Sequence, residues 1–193
     1  MTTPMIIKET SNGYIAHAIQ DEMLLHREVE CVGAINEDSV NSLILQLRYL
    51  ERIDPDEEIT IYINSPGGEV SSGLALYDVM KAVRCPIRTV CVGLAASMGA
   101  VLFAAGDQRE MLAHSRVMIH DPLIAGGGIR GSATYLDAQV KDLMNTRQII
   151  AGILSEHTHR TVEEVLERTA KDTYFYAEDA IAFGLADKII TRL

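Results

Sequence analysis

A serine hydroxyl becomes nucleophilic at neutral pH only when a nearby base takes its proton, so the informative feature of this sequence is a pair, Ser97 and His120. Ser97 stands in Gly93-Leu94-Ala95-Ala96-Ser97-Met98-Gly99-Ala100, after a strand-like run and at the start of a helix of small residues. Free backbone N–H groups and the positive dipole end of a helix stabilise an oxyanion there, and small neighbours let a substrate backbone approach. Alone, a serine between two glycines is better explained by tight packing. Gly67-Gly68 after Pro66 offers a second N–H that could face the same point as the Met98 N–H, although a plain Pro-Gly turn needs no function. His120 closes the run Val117-Met118-Ile119-His120 and is followed by Asp121-Pro122. Five other histidines make a single match cheap, and only the two residues together point to acyl transfer. A third group should orient the imidazole and stabilise its charged form. Spacing leaves Asp121, Asp137, Asp142, Asp172 and Asp179 open, with Asp121 awkward because neighbours on an extended strand face opposite ways.

These side chains need a frame. Asn36 to Arg52 reads as an amphipathic helix with Val40, Leu43, Leu47 and Leu50 on one stripe. Ile59, Ile61 and Ile63 alternate as a strand that stops at the turn Asn64-Ser65-Pro66-Gly67-Gly68, before a helix carrying Leu74, Tyr77, Met80 and Val83. The pattern repeats at Ile87–Val92 with Ala95–Ala104, and at Arg116–His120 with a long helix from near Ala133 to His157. Strand centres Ile61, Val90 and Met118 lie 29 and 28 residues apart, which suggests turns of one α/β spiral in a single domain over 1–193. The long helix carries Leu136, Val140, Leu143, Ile150 and Leu154 on one stripe, with Met144 and Ile149 beside it. That is more apolar surface than one small core needs. Thr161 with Glu164 forms a capping box, Gly184 ends the last helix, and Asp187–Ile190 closes as a strand.

Composition narrows the classes. A chain of 193 residues can bury roughly 70% of its unfolded surface without a disulfide staple. Cys31, Cys85 and Cys91 form an odd set without metal-ligand spacing, which fits a reducing, cytoplasmic compartment and suggests no metal. Nothing near Met1 reads as a signal or transit segment, so the mature chain is expected to begin there. The uncharged stretch Thr89–Gly106 is short and glycine-broken, a buried core segment rather than a membrane span. A net charge of −10, with 17 Lys and Arg scattered rather than striped, argues against nucleic acid.

The blocks Tyr62-Ile63-Asn64-Ser65-Pro66-Gly67-Gly68, Ala95-Ala96-Ser97-Met98-Gly99-Ala100, Ser115-Arg116-Val117-Met118-Ile119-His120 and Glu156-His157-Thr158 resemble, in order, the proteolytic subunit of the ATP-dependent Clp protease, the ClpP family of serine peptidases. The resemblance runs from about Pro4 to Ile190. It implies a ClpP/crotonase-like spiral of strand-strand-helix units, with 1–20 as an N-terminal entrance segment and about 121–157 as a handle strand and helix. It further implies a triad of Ser97, His120 and Asp172, an oxyanion hole from Gly68 and Met98, and an extended peptide flanked by Gly67, Glu69, Val70, Leu123 and Ile124. Two stacked heptameric rings, a tetradecamer, would enclose the sites. An AAA+ unfoldase of the ClpX, ClpA or ClpC type would deliver polypeptide substrates for protein quality control, with no cofactor in the subunit.

The chain also departs from that family's pattern. Ala18-Ile19-Gln20-Asp21-Glu22 replaces a usual Tyr-Asp-Ile-Tyr-Ser-Arg run. The apolar pocket for the ATPase loop maps onto Tyr62, Val90, Val92, Leu112 and Ile189, but Glu110 stands at a usually aromatic site. Asp121 replaces a usual Gln, and Ile124–Gly131 is a few residues longer than the family's handle strand, with Gly126-Gly127-Gly128 inside it. Glycine adds backbone freedom, so looser ring contact and catalytic alignment are expected. Rival readings are a crotonase-type enzyme holding a thioester enolate, a Ser–Lys peptidase, and a regulatory or weakly active subunit of a mixed Clp ring. The Ser97–His120–Asp172 set argues against the first. No lysine stands near Ser97 to favour the second, and the departures keep the third in play.

Overall fold

The computed structural model describes residues 4–124 and 130–193. An antiparallel hairpin, β1 (Met5–Thr10) and β2 (Gly13–Ala18), precedes helix α1 (Ile19–Leu25) and forms a two-stranded sheet of its own. Strand β3 (Glu28–Ile35) then leads into α2 (Glu37–Ile53). Asn36 starts that helix by accepting from the Ser39 N–H at 3.0 Å, which satisfies an amide the first turn would otherwise leave free. Val40, Leu43, Leu47 and Leu50 are buried along its inner face, as their spacing predicts.

Alternating strands and helices follow: β4 (Ile59–Gly68), α3 (Val70–Ala82), β5 (Ile87–Ala96), α4 (Met98–Ala104), β6 (Gln108–Leu112) and β7 (Arg116–Ile119). Next come α5 (Ala133–Thr158), α6 (Val162–Thr169), β8 (Thr173–Tyr176), α7 (Ala177–Phe183) and β9 (Lys188–Ile190). The main sheet runs β3-β4-β5-β6-β9 in parallel. It forks at β5, whose first half pairs with β6 and whose second half pairs with β7, while β8 lies antiparallel on β7. The fork falls at Gly93, whose φ of 96° bends the strand. Ser115 pins the bend, accepting from the Gly93 N–H at 2.9 Å and donating to the Cys91 carbonyl at 2.8 Å.

Three sequence expectations change here. The strand read as Ile87–Val92 continues to Ala96, and the helix read from Ala95 starts at Met98. The segment Asn64–Gly68, read as a turn, stays in β4 and pairs with β3 at Ala34↔Gly67 and Ile35↔Gly68. The even strand spacing describes neighbours for β4 and β5, where Ile61 faces Thr89, but Met118 pairs with Ala96 beyond the fork. The stretch 89–106 lies largely buried in β5 and α4, as its composition requires. No strand forms over 121–124, and Gly126-Gly127-Gly128 of the expected handle strand lie outside the described residues. Of the residues mapped to an apolar surface pocket, Val90 is fully buried and cannot line one.

Candidate active site

The fork brings the chemistry together. Ala96 pairs with Met118, and the Ser97 N–H donates to the Met118 carbonyl at 2.8 Å, so Ser97 leaves β5 beside the end of β7. His120 is the first residue after β7, and its Nε2 lies 2.9 Å from Ser97 Oγ. On the other side, Ile119 faces Thr173 in the antiparallel β7–β8 pair. Continuing that register by one residue sets His120 opposite Asp172, and Nδ1 lies 3.4 Å from Asp172 Oδ1. One imidazole thus touches a hydroxyl through one nitrogen and a carboxylate through the other.

Of the five acids the spacing left open, Asp172 reaches the imidazole. Asp137 pairs with Lys141 on α5 at 2.7 Å, and Asp179 sits in the first turn of α7. Asp121 turns away from His120 and accepts from Arg147 Nε at 2.6 Å. The looser alignment expected from the sequence does not extend to the Ser97–His120 contact. The His120 side chain is 16% exposed and that of Asp172 63%, so the pair opens to solvent on its acid side.

Ser97 adopts φ 55° and ψ −123°, a conformation that non-glycine residues rarely hold and that costs on the order of 1–3 kcal/mol. It caps α4, so the Met98 N–H begins the helix without an intrahelical acceptor. Gly67 packs directly on this corner. Its φ is 91°, and a Cβ built there would meet Ser97 Cβ at 2.6 Å, the Ala96 carbonyl oxygen at 2.7 Å and the Met98 nitrogen at 3.1 Å. Beside it, the Glu69 N–H donates to the Ile35 carbonyl at 2.8 Å, so the flanking residues serve β3 and the Gly68 N–H faces the other way. Ser65, fully buried, holds this stretch by donating to the Gly33 carbonyl at 2.6 Å and accepting from the Gly67 N–H at 3.0 Å.

Val70, Met98, Ile119, Ile150 and Leu154 line a small apolar recess that Ser97 and His120 also border. Ile119, Ile150 and Leu154 were not expected at the site: in the sequence Ile119 belongs to the strand run before His120, and Ile150 and Leu154 to the apolar stripe of the long helix. Of the other residues expected to flank a peptide, Glu69 caps α3 and accepts from Ser72 Oγ at 2.9 Å, while Leu123 and Ile124 are exposed beyond β7. Cysteine offers no competing nucleophile. All three thiols are buried, and burial pushes Cys31 up to about 11 and Cys91 up to about 12, which keeps both protonated at neutral pH.

Among the described residues no cluster of three or more His, Cys, Asp or Glu is arranged to hold a metal ion, and no helix is long and apolar enough to cross a membrane. The arrangement suits proton removal from a hydroxyl that stands at a helix start and borders an apolar recess. A family model described as Clp protease matches residues 11–193.

Proposed function

The chain belongs to the Clp protease family, whose members are peptidases, and on that premise we propose that it is a serine endopeptidase subunit with Ser97, His120 and Asp172 as its triad. The single observation that carries the reading is the 2.9 Å contact between His120 Nε2 and Ser97 Oγ. His120 takes the Ser97 proton as Oγ attacks an amide carbonyl, and Asp172 stabilises the imidazolium that forms. The oxyanion that develops accepts from the Gly68 and Met98 N–H groups, whose strand and helix are fixed before substrate arrives. His120 then protonates the leaving amine. Water, deprotonated by the same imidazole, hydrolyses the acyl-enzyme and restores Ser97.

The recess bounded by Val70, Ile119, Ile150 and Leu154 holds about 20 Å³, so it sets an apolar wall beside the scissile bond with room for no more than a methyl-sized group. Gly67, Glu69 and Val70 flank one side of an extended peptide, and Leu123 and Ile124 the other. The subunit works in the cytoplasm as part of a tetradecamer of two heptameric rings, fed by an AAA+ unfoldase. Incubating the protein with an unstructured polypeptide tests the activity. Peptide products from wild type and none from Ser97→Ala support it, and equal cleavage by both would reject it.

A further inference from the structure

Asp121 follows the imidazole in sequence and points elsewhere, yet three short bonds converge on it. Its Oδ2 accepts from Arg147 Nε of α5 at 2.6 Å, and its Oδ1 accepts from Thr169 Oγ1 at 2.6 Å. Its own N–H donates to the Thr169 carbonyl, also at 2.6 Å. Thr169 is the last residue of α6, three positions ahead of Asp172. Asp121 is therefore joined by peptide bond to the base and by hydrogen bonds to the segment that presents the acid.

That segment has little else to hold it. The Asp172 side chain is 63% exposed, and among the described residues His120 is the one side-chain partner of its carboxylate, at 3.4 Å. Beyond Asp172 the chain is fixed by Thr173, whose Oγ1 donates to the Arg168 carbonyl at 2.6 Å and whose backbone pairs with Ile119. Before Asp172 the Asp121–Thr169 contact does the corresponding job. The distance between imidazole and carboxylate is thus set by backbone on both sides. A charge-assisted bond is the stronger kind of tether for such a task.

We propose that Asp121 is a positioning residue for hydrolysis: with Thr169 and Arg147 it holds the end of α6 against the end of β7, so that Asp172 meets His120. The inference rests on the reading of Ser97, His120 and Asp172 as the triad. Asp121 acts through Asp172, so its contribution should vanish where Asp172 can no longer contribute. A side chain that merely helps the chain fold would matter equally in both backgrounds.

A double-mutant cycle separates the two. Hydrolysis of a short fluorogenic peptide is measured for wild type, Asp121→Ala, Asp172→Asn and the double variant, with native mass and thermal midpoint recorded for each. Asp121→Ala should lower kcat by about tenfold to a hundredfold with KM within about twofold, the scale of a misplaced catalytic group. In the Asp172→Asn background it should change kcat by less than about threefold. Asp121→Asn, which retains an acceptor for the Thr169 hydroxyl, should recover most of the rate. Should Asp121→Ala not fold or assemble, Thr169→Val removes the same bond from the other side and is read in the same cycle. Equal losses in both backgrounds, or no loss in an active wild type, overturn the proposal and leave the peptidase reading standing. A wild type that neither hydrolyses the peptide nor reacts at Ser97 overturns both.

Discussion

Ser97 holds a strained backbone at the junction of β5 and α4, and Gly67 is the residue that makes room for it. A side chain at position 67 would need a left-handed backbone and would occupy space already taken by Ser97 Cβ and the Ala96 carbonyl. Gly67→Ala should therefore lower kcat/KM for a short peptide by about a hundredfold, because the hydroxyl and the Met98 N–H shift together. Unchanged kinetics in that variant would show that the corner is not as tightly fixed as the contacts indicate. Ser97 and His120 were readable as residues because the chemistry of each demands the other. Asp172 was not readable from the spacing, since its selection depends on the β7–β8 register and enters the sequence only through family resemblance. Asp121 illustrates the reverse case: strand geometry made it an awkward candidate for the acid in the sequence, but its bonds to Thr169 and Arg147 join segments too far apart in the chain to foresee.

Elements signalled by local rules could be read directly. Asn36 and Thr161 cap α2 and α6 with their own side chains, and Gly184 ends α7 at φ 98°. Elements that depend on distant pairing were missed or misdrawn. Strand β8 alternates in burial, with Thr173 and Phe175 inward and Tyr174 and Tyr176 exposed, but four residues of which three are aromatic hide that alternation in the sequence, and its identity comes from pairing with β7. Pro66-Gly67 carries a turn signal that the β3 ladder overrides. The far side of the sheet is tied by an ion cluster around the buried Glu110 of β6, which accepts from Arg88 Nε of β5 at 2.9 Å and from the exposed Lys188 Nζ of β9 at 2.7 Å. Burial pushes the Glu110 carboxyl up, but hydrogen bonds from Arg88 and Lys188 and their charges outweigh it and leave the group below its ordinary value of 4.5. A carboxyl depressed in the folded state stabilises above pH 4.5, and that stabilisation is lost as pH falls through the lower folded value. Glu110→Gln should thus cost roughly 1–3 kcal/mol at pH 7 in urea unfolding, and the gap to wild type should narrow below pH 4.5. A gap that is constant with pH would mean that the carboxylate charge contributes nothing to holding the three strands.

At the scale of the molecule, α5 is the element that a single subunit does not account for. It spans 26 residues, but the residues it buries, Ile150, Ala151, Leu154 and Thr158, all lie toward its C-terminal end. Val140, Met144 and Ile149 are each about half exposed, so the apolar stripe read from the sequence extends past the subunit's own core. In the proposed assembly this stripe meets another copy. Val140→Glu combined with Met144→Glu should lower the native mass while leaving the thermal unfolding of the subunit nearly unchanged, and an unaltered mass would place the contact between copies elsewhere. Everything at this scale still depends on whether the hydroxyl at the fork is activated by its imidazole. Reaction with a fluorophosphonate, followed by peptide mass mapping, reads that directly. The account predicts one adduct, on Ser97, formed by wild type and lost in His120→Ala. An unmodified Ser97 in the assembled protein, or an adduct formed equally fast without His120, would contradict it.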